Sequence, residues 1–271
     1  FVCDKGYSFT RAEEIADNIN SPDLFDYRCQ ACVTYIVRHN LDNGHTCLPR
    51  TAVLKSAMNY LECSEDHAEI AIDNALQGQQ LVSAEINGKE FLFAPEIYDA
   101  ETAVADRIKV MVNYPPRQIN VDSSEIFAFE QSNNIAFDDK QRAAIEIAVN
   151  QGMLILTGGP GTGKTTTVRG IIALMMSRGM HVALAAPTGR AAKRMSELTG
   201  FDAKTIHRLL EVEYKDGATE PSFVYNRKNK LDVDAVIIDE LSMVDIKLFD
   251  SFLEALPMSA RLIMVGDKDQ L

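Results

Sequence analysis

The residues best suited to chemistry lie in one stretch, Gly158-Gly159-Pro160-Gly161-Thr162-Gly163-Lys164-Thr165, which fits the pattern GxxxxGK[ST]. Glycines let successive backbone N–H groups turn toward one point, and a helix opening at Lys164 adds the positive end of its dipole. Such a loop cradles phosphate oxygens. The Lys164 ammonium would neutralise the terminal phosphates and the Thr165 hydroxyl would ligate Mg²⁺. Seventy-five residues after Lys164, the apolar run Ala235–Ile238 ends in Asp239-Glu240. There one carboxylate can hold the Mg²⁺ shell and the next can polarise an attacking water. Phosphoryl transfer needs both a phosphate cradle and a metal carboxylate, and both are present.

Residues of this kind need strand ends to hold them. After residue 130 the sequence alternates short β-rich runs (153–156, 181–185, 235–238, 262–265) with helical stretches (139–150, 164–177, 190–198, 246–256). That alternation predicts an α/β fold, a parallel sheet with helices on both faces and its ligand at the carboxyl ends of the strands. Residues 1–130 read differently. Thr10-Arg11-Ala12-Glu13 is a capping box opening a helix through Ile19, and further helices are expected at 24–39, 51–61, 65–76 and 98–112. Between the last two of these, Asn87-Gly88 joins runs 80–86 and 90–94 in the strongest short hairpin pattern. Helices followed by a hairpin suggest a winged-helix-like unit. The polar stretch Glu130–Asn134 is the expected boundary between domains 1–130 and 131–271.

Charge divides the same way. The chain carries 27 Lys+Arg and 39 Asp+Glu, a net of −12, and residues 1–130 account for −11 of it. Bulk attraction to nucleic acid is therefore excluded, a local basic groove is not, and a protein partner suits the acidic half. No run approaches 18 apolar residues, so neither a membrane span nor a membrane partner is expected. Cys29-Gln30-Ala31-Cys32, with His45 and Cys47 downstream, superficially resembles half a zinc site. Yet Cys29, Cys32, Val33, Ile36 and Val37 follow the apolar stripe of one amphipathic helix, which is the better reading. Scattered thiols and the lack of a leader favour the cytoplasm.

Four further segments narrow the function. Pro187-Thr188-Gly189-Arg190-Ala191-Ala192-Lys193-Arg194, Thr205-Ile206-His207-Arg208-Leu209-Leu210, Asp239-Glu240-Leu241-Ser242-Met243 and Val265-Gly266-Asp267-Lys268-Asp269-Gln270-Leu271 together resemble superfamily 1B DNA helicases, in particular the RecD-like ATP-dependent helicases. Asp139-Lys140-Gln141-Arg142 resembles their adenine-reading glutamine motif. Gly44-His45-Thr46-Cys47-Leu48-Pro49 and Ala94-Pro95-Glu96-Ile97-Tyr98 extend the likeness into the first half.

The resemblance implies a P-loop, RecA-like motor domain using ATP and Mg²⁺. Gln141 would contact adenine, and Gly159, Gly161, Thr162, Gly163, Lys164, Thr165 and Thr166 would hold the phosphates. Thr165 and Asp239 would position the metal. Lys164, Glu240 and Gln270 would be catalytic, with Glu240 activating water and Gln270 sensing the γ-phosphate. Pro187, Thr188, Arg190 and His207 would lie along single-stranded DNA. Residues 211–230 read as an inserted β-hairpin, since Val212 and Tyr214 alternate before Asp216-Gly217 and Phe223 and Tyr225 after it. In related helicases a hairpin inserted here is the pin that splits the duplex, and Phe223 or Tyr225 would meet the separated pair.

The implied activity is a 5′→3′ DNA helicase, acting as a monomer on single strands and on single-strand/duplex junctions. Related enzymes hydrolyse ATP between two RecA-like domains. The sequence begins at Phe1 and stops at Gln270-Leu271, so a fragment with half a motor and weak activity of its own is expected. Two other classes remain open: a P-loop kinase or ATPase of small molecules, and a non-catalytic interaction module.

Overall fold

The computed structural model describes residues 11, 24–41, 43–119, 121–159, 161–213 and 222–267. The capping box expected at Thr10 lies largely outside them. The chain forms two compact units that divide between Thr102 and Ala103.

In the first unit, helix α1 (Leu24–His39) follows its sequence stripe. Cys29, Cys32, Val33, Ile36 and Val37 are all buried, against Val53, Leu54 and Ala57 of α2 (Arg50–Leu61) and Ala68, Ala71, Ile72 and Ala75 of α3 (Glu65–Gln77). The cysteines serve as small hydrophobes there. Strands β2 (Val82–Ile86) and β3 (Lys89–Phe93) pair antiparallel around Asn87-Gly88. Both turn residues have positive φ, 51° and 74°, as a tight hairpin twisted with its strands demands. A short strand absent from the sequence reading, β1 (Cys47–Pro49), pairs with β3 and completes a three-stranded sheet. Arg50, at the head of α2, pairs with Glu69 and Asp73 of α3 and with Glu90 of β3. Three helices thus stand beside a small three-stranded sheet that contains the expected hairpin.

Helix α4 (Pro95–Asn113) runs across the division, with Val104, Ile108 and Met111 packed into the second unit's core. That unit is a parallel sheet of five strands: β4 (Met153–Thr157), β5 (Val182–Ala186), β6 (Ala203–Thr205), β9 (Ala235–Ile238) and β10 (Arg261–Gly266). Their spatial order is β4-β10-β9-β5-β6. The β9 residues are wholly buried and alternate between two cores. Ala235 and Ile237 face one with α6 (Asp139–Asn150) and α7 (Lys164–Ser177), while Val236 and Ile238 face the other with α10 (Ile246–Ala255). Continuous apolar strands with helices on both faces are what a parallel sheet requires.

Two features correct the sequence reading. First, Glu130–Asn134 is no linker. It ends helix α5 (Ser123–Asn133), which the sequence reading missed, and Glu130 is buried. Its Oε1 accepts from the Phe137 N–H at 2.6 Å and from Arg142 Nη2 at 2.9 Å. Burial of a polar stretch is tolerable because those donors satisfy it. The backbone N–H, then the guanidinium, hold the Glu130 carboxyl below the usual carboxylate range. A lowered native value means stabilisation that is complete above about pH 4.3, the unfolded value, and lost as pH falls through the native one. Glu130→Gln should therefore lower the melting temperature by a few degrees at neutral pH, and the gap should close in acid. A gap independent of pH would assign Glu130 only a packing role.

Second, the hairpin is short where it is described. β7 (Val212–Glu213) pairs with β8 (Ser222–Phe223), Val212 opposite Phe223. Phe223 thus stands at the base of the hairpin, half-buried with Tyr225 against the α10-side core, rather than at a tip. Residues 214–221 lie outside the described set.

Candidate nucleotide and nucleic-acid site

Strands β4, β10 and β9 end side by side, because Gly266 is in register with Thr157 and Met264 with both Ile155 and Ile238. The segments that follow them converge on one pocket of about 450 Å³. Gly159 and Gly161 to Thr166 line one side, Asp239 and Glu240 another, and Val265, Gly266 and Asp267 lie between. The two motifs distant in sequence therefore meet in space, with β10 separating their strands.

Local geometry follows from the residue types. Gly161 and Gly163 have φ of 77° and 80°, so the loop adopts turns closed to most side chains. Lys164 opens α7 and its Nζ donates to the Gly158 and Gly159 carbonyls. The ammonium is thereby held over the loop's opening, where phosphate oxygens can replace the carbonyls. Glu240 has φ 53° and ψ 41°, a strained setting for a non-glycine residue. Its backbone N–H donates to Asp239 Oδ1 at 2.9 Å, so the turn itself orients the preceding carboxylate.

Gln141 sits differently from its expected role. Its Oε1 accepts from the Asp138 N–H at 3.0 Å in a capping box, and its Nε2 reaches the Thr162 carbonyl at 3.5 Å. It packs against Gly163, where an added Cβ would approach its Nε2 to 2.3 Å. In this arrangement Gln141 braces the phosphate loop, and it does not line the pocket.

Among the described residues no cluster of three or more His, Cys, Asp or Glu could hold a metal unaided. Thr165 and Asp239 do line the same pocket. A sparse oxygen set completed by phosphate oxygens and water suits Mg²⁺, which seldom relies on an all-protein cage. The residues fit that ion.

Of the expected DNA contacts, Thr188 is the N-cap of α8 (Gly189–Thr199), accepting from the Ala191 N–H at 3.2 Å. Pro187 is half-buried beside it and Arg190 is exposed. His207, exposed on α9 (Ile206–Leu210), lies with its ring centroid 6.0 Å from that of Phe223. Two residues singled out from separate segments thus form one aromatic surface. Gln270 lies outside the described residues. Sequence reasoning missed Arg194, Met195, Leu198 and Thr199 of α8 as part of the pocket wall, and gave no role to Asp267, which is buried at the β10 end. For Asp267 the signal was available: an acid following an apolar strand that ends in glycine.

This sheet, with its phosphate loop and strand-end carboxylates, defines a P-loop NTPase domain of RecA-like type. Residues 141–271 match the family described as an AAA domain. In sequence the chain is RecD-like. It is 32% identical over 237 residues to the ATP-dependent RecD2 DNA helicase of Deinococcus radiodurans, covering 84% of this chain and 32% of that one. It is 36% identical over 205 residues to the RecBCD enzyme subunit RecD of Mycolicibacterium smegmatis, covering 67% and 35%. Against the same subunit of Mycobacterium tuberculosis the identity is 43% over 156 residues, covering 49% and 26%. The chain thus spans about a quarter to a third of the length of these relatives. No helix among its described residues is long and apolar enough to cross a membrane.

Proposed function

We propose that these residues are the N-terminal region and first motor domain of an ATP-dependent DNA helicase that moves 5′→3′ on single strands and opens duplex at junctions. The carrying observation is the meeting of Lys164, Thr165, Asp239, Glu240 and Asp267 around one pocket, in a chain of RecD-like sequence. ATP binding draws Lys164 from the Gly158 and Gly159 carbonyls to the terminal phosphates. Thr165 and Asp239 would hold Mg²⁺, which when bound would supply positive charge against the phosphates. Glu240 orients water for in-line attack, and Gln270 senses the γ-phosphate.

DNA lies across the surface of Pro187, Thr188, Arg190 and His207, where short polar groups and a helix N-terminus hold backbone without reading bases. The first unit carries 7 Lys+Arg and 17 Asp+Glu up to Thr102, so it suits a protein partner better than nucleic acid. Two of the relatives are named as subunits of the RecBCD enzyme, which leaves both a monomer and an assembly to be distinguished by solution mass.

The test is ATP turnover with and without single-stranded DNA in the protein at the length of its relatives. Stimulation by DNA is expected, and turnover indifferent to DNA would favour a small-molecule kinase or ATPase instead. For the hairpin, deleting Asp216–Ser222 should spare DNA-stimulated turnover and abolish strand separation of a tailed duplex. Unimpaired unwinding would remove the pin from the mechanism.

A further inference from the structure

Beyond Phe223 the chain makes a tightly built turn whose outward charges form no ion pair among the described residues. Asn226 organises it. Its Nδ2 donates to the Phe223 and Val224 carbonyls, both at 3.0 Å, and its Oδ1 accepts from the Lys228 and Asn229 N–H groups at 2.9 and 3.3 Å. The Asn226 N–H donates in turn to the Asn229 carbonyl at 2.7 Å, and Asn229 Nδ2 to the Val224 carbonyl at 3.1 Å. A side chain that mimics backbone in this way fixes the turn. Arg227 and Lys228 stand exposed upon it.

Two further cations stand close by, and their roles are structural. Lys230 Nζ donates to the Glu254 carbonyl, and Arg107 Nη2 to the Leu256 carbonyl at 2.6 Å. Both cap the last turn of α10, where carbonyls lack helical partners. Burial lowers the pKa of Arg107 and of Lys230, and Arg227 is close enough to lower both further. The Glu254 carboxylate counters this in part. Among the described residues, however, none of the four forms an ion pair within 4.0 Å. Arg107 and Lys230 are explained by the helix they cap. Among the described residues Arg227 and Lys228 have no comparable structural role, and Arg227 adds like charge beside Arg107 and Lys230.

The turn also continues the proposed DNA surface. His207 contacts Phe223, and the Asn226 amide clasps the Phe223 carbonyl. We propose that the Asn226–Lys230 turn is a second contact for a phosphodiester backbone, with Arg227 and Lys228 gripping nucleic acid that passes the His207–Phe223 pair. The proposal rests on the DNA-binding reading above and adds a site to it. Contacts of this kind position a strand without reading its sequence, and each neutralised phosphate releases counterions.

The test is fluorescence anisotropy with a labelled single strand, a blunt duplex and a tailed duplex, each titrated with the protein over a series of salt concentrations. Arg227→Glu/Lys228→Glu should weaken binding of the contacted form at least about tenfold at low salt. It should also reduce the log–log salt slope by about 1.4 for a single strand or about 1.8 for a duplex, two phosphates' worth. Which probe responds identifies the form gripped. Lys55→Glu/Lys89→Glu changes net charge equally in the first unit and should leave the slope as it was. An unchanged slope in the first pair, or an equal loss in both pairs, overturns the proposal. If the unmodified protein binds none of the three probes, the DNA-binding reading itself fails. An unaltered melting temperature in the variants separates lost contacts from lost folding.

Discussion

Replacing Lys164 by Ala is expected to weaken nucleotide binding more than any other single change in the chain. The ammonium now donates to the Gly158 and Gly159 carbonyls of the phosphate loop. Bound phosphates bring two or more negative charges there. Without Lys164 they face only N–H dipoles and whatever metal accompanies them. Truncating one partner of a hydrogen-bonded, desolvated charge pair costs about 2–4 kcal/mol, roughly thirtyfold to nearly a thousandfold in affinity. Titration with a fluorescent ATP analogue measures it. Lys164→Arg is the informative companion, because a planar guanidinium keeps the charge but not the compact reach between two carbonyls. It should recover little of the loss. Binding within a factor of two of the unmodified protein in Lys164→Ala would make the loop a glycine-rich turn and nothing more.

The parts of this site that were legible in sequence are those where one residue type has one physical use. Gly161 and Gly163 mark positive φ, the apolar run before Asp239 marks a buried strand, and Asn87-Gly88 marks a hairpin. Helix α1 is visible in its stripe because burial follows the 3.6-residue period. What stayed hidden depends on contacts between residues far apart in the chain. Glu130 looks like linker composition until the Phe137 N–H and Arg142 are seen to satisfy it. Strand β1 has three residues and exists only because β3 is there to pair with it. Gln141 reads as a ligand contact from its motif, yet its amide is engaged by Asp138 and Thr162, a partnership no spacing rule expresses. Phe223 alternates correctly for a strand, but alternation cannot tell the base of a hairpin from its tip. The order β4-β10-β9 matters most: it sets the two nucleotide motifs on either side of β10, and no local pattern in the sequence encodes it.

Glu240→Gln should separate binding from turnover. Glu240 lines the pocket, while its backbone N–H holds Asp239 Oδ1 at 2.9 Å. Glutamine keeps that backbone and nearly the same volume, so the metal-positioning carboxylate should be undisturbed and nucleotide affinity should stay within about twofold. What is lost is the basic oxygen that takes a proton from, or polarises, the attacking water. A positioned general base contributes about 10²- to 10⁴-fold, and DNA-stimulated turnover should fall by that much. Asp239→Asn supplies the contrast, since weakening the metal site should reduce affinity for nucleotide in the presence of Mg²⁺ and spare it when Mg²⁺ is absent. The left-handed backbone at Glu240 sharpens the argument, because glycine would sit there without strain and yet a carboxylate does. Turnover in Glu240→Gln within tenfold of the unmodified protein would move the base elsewhere, with Asp267 at the end of β10 the next carboxylate in the same pocket.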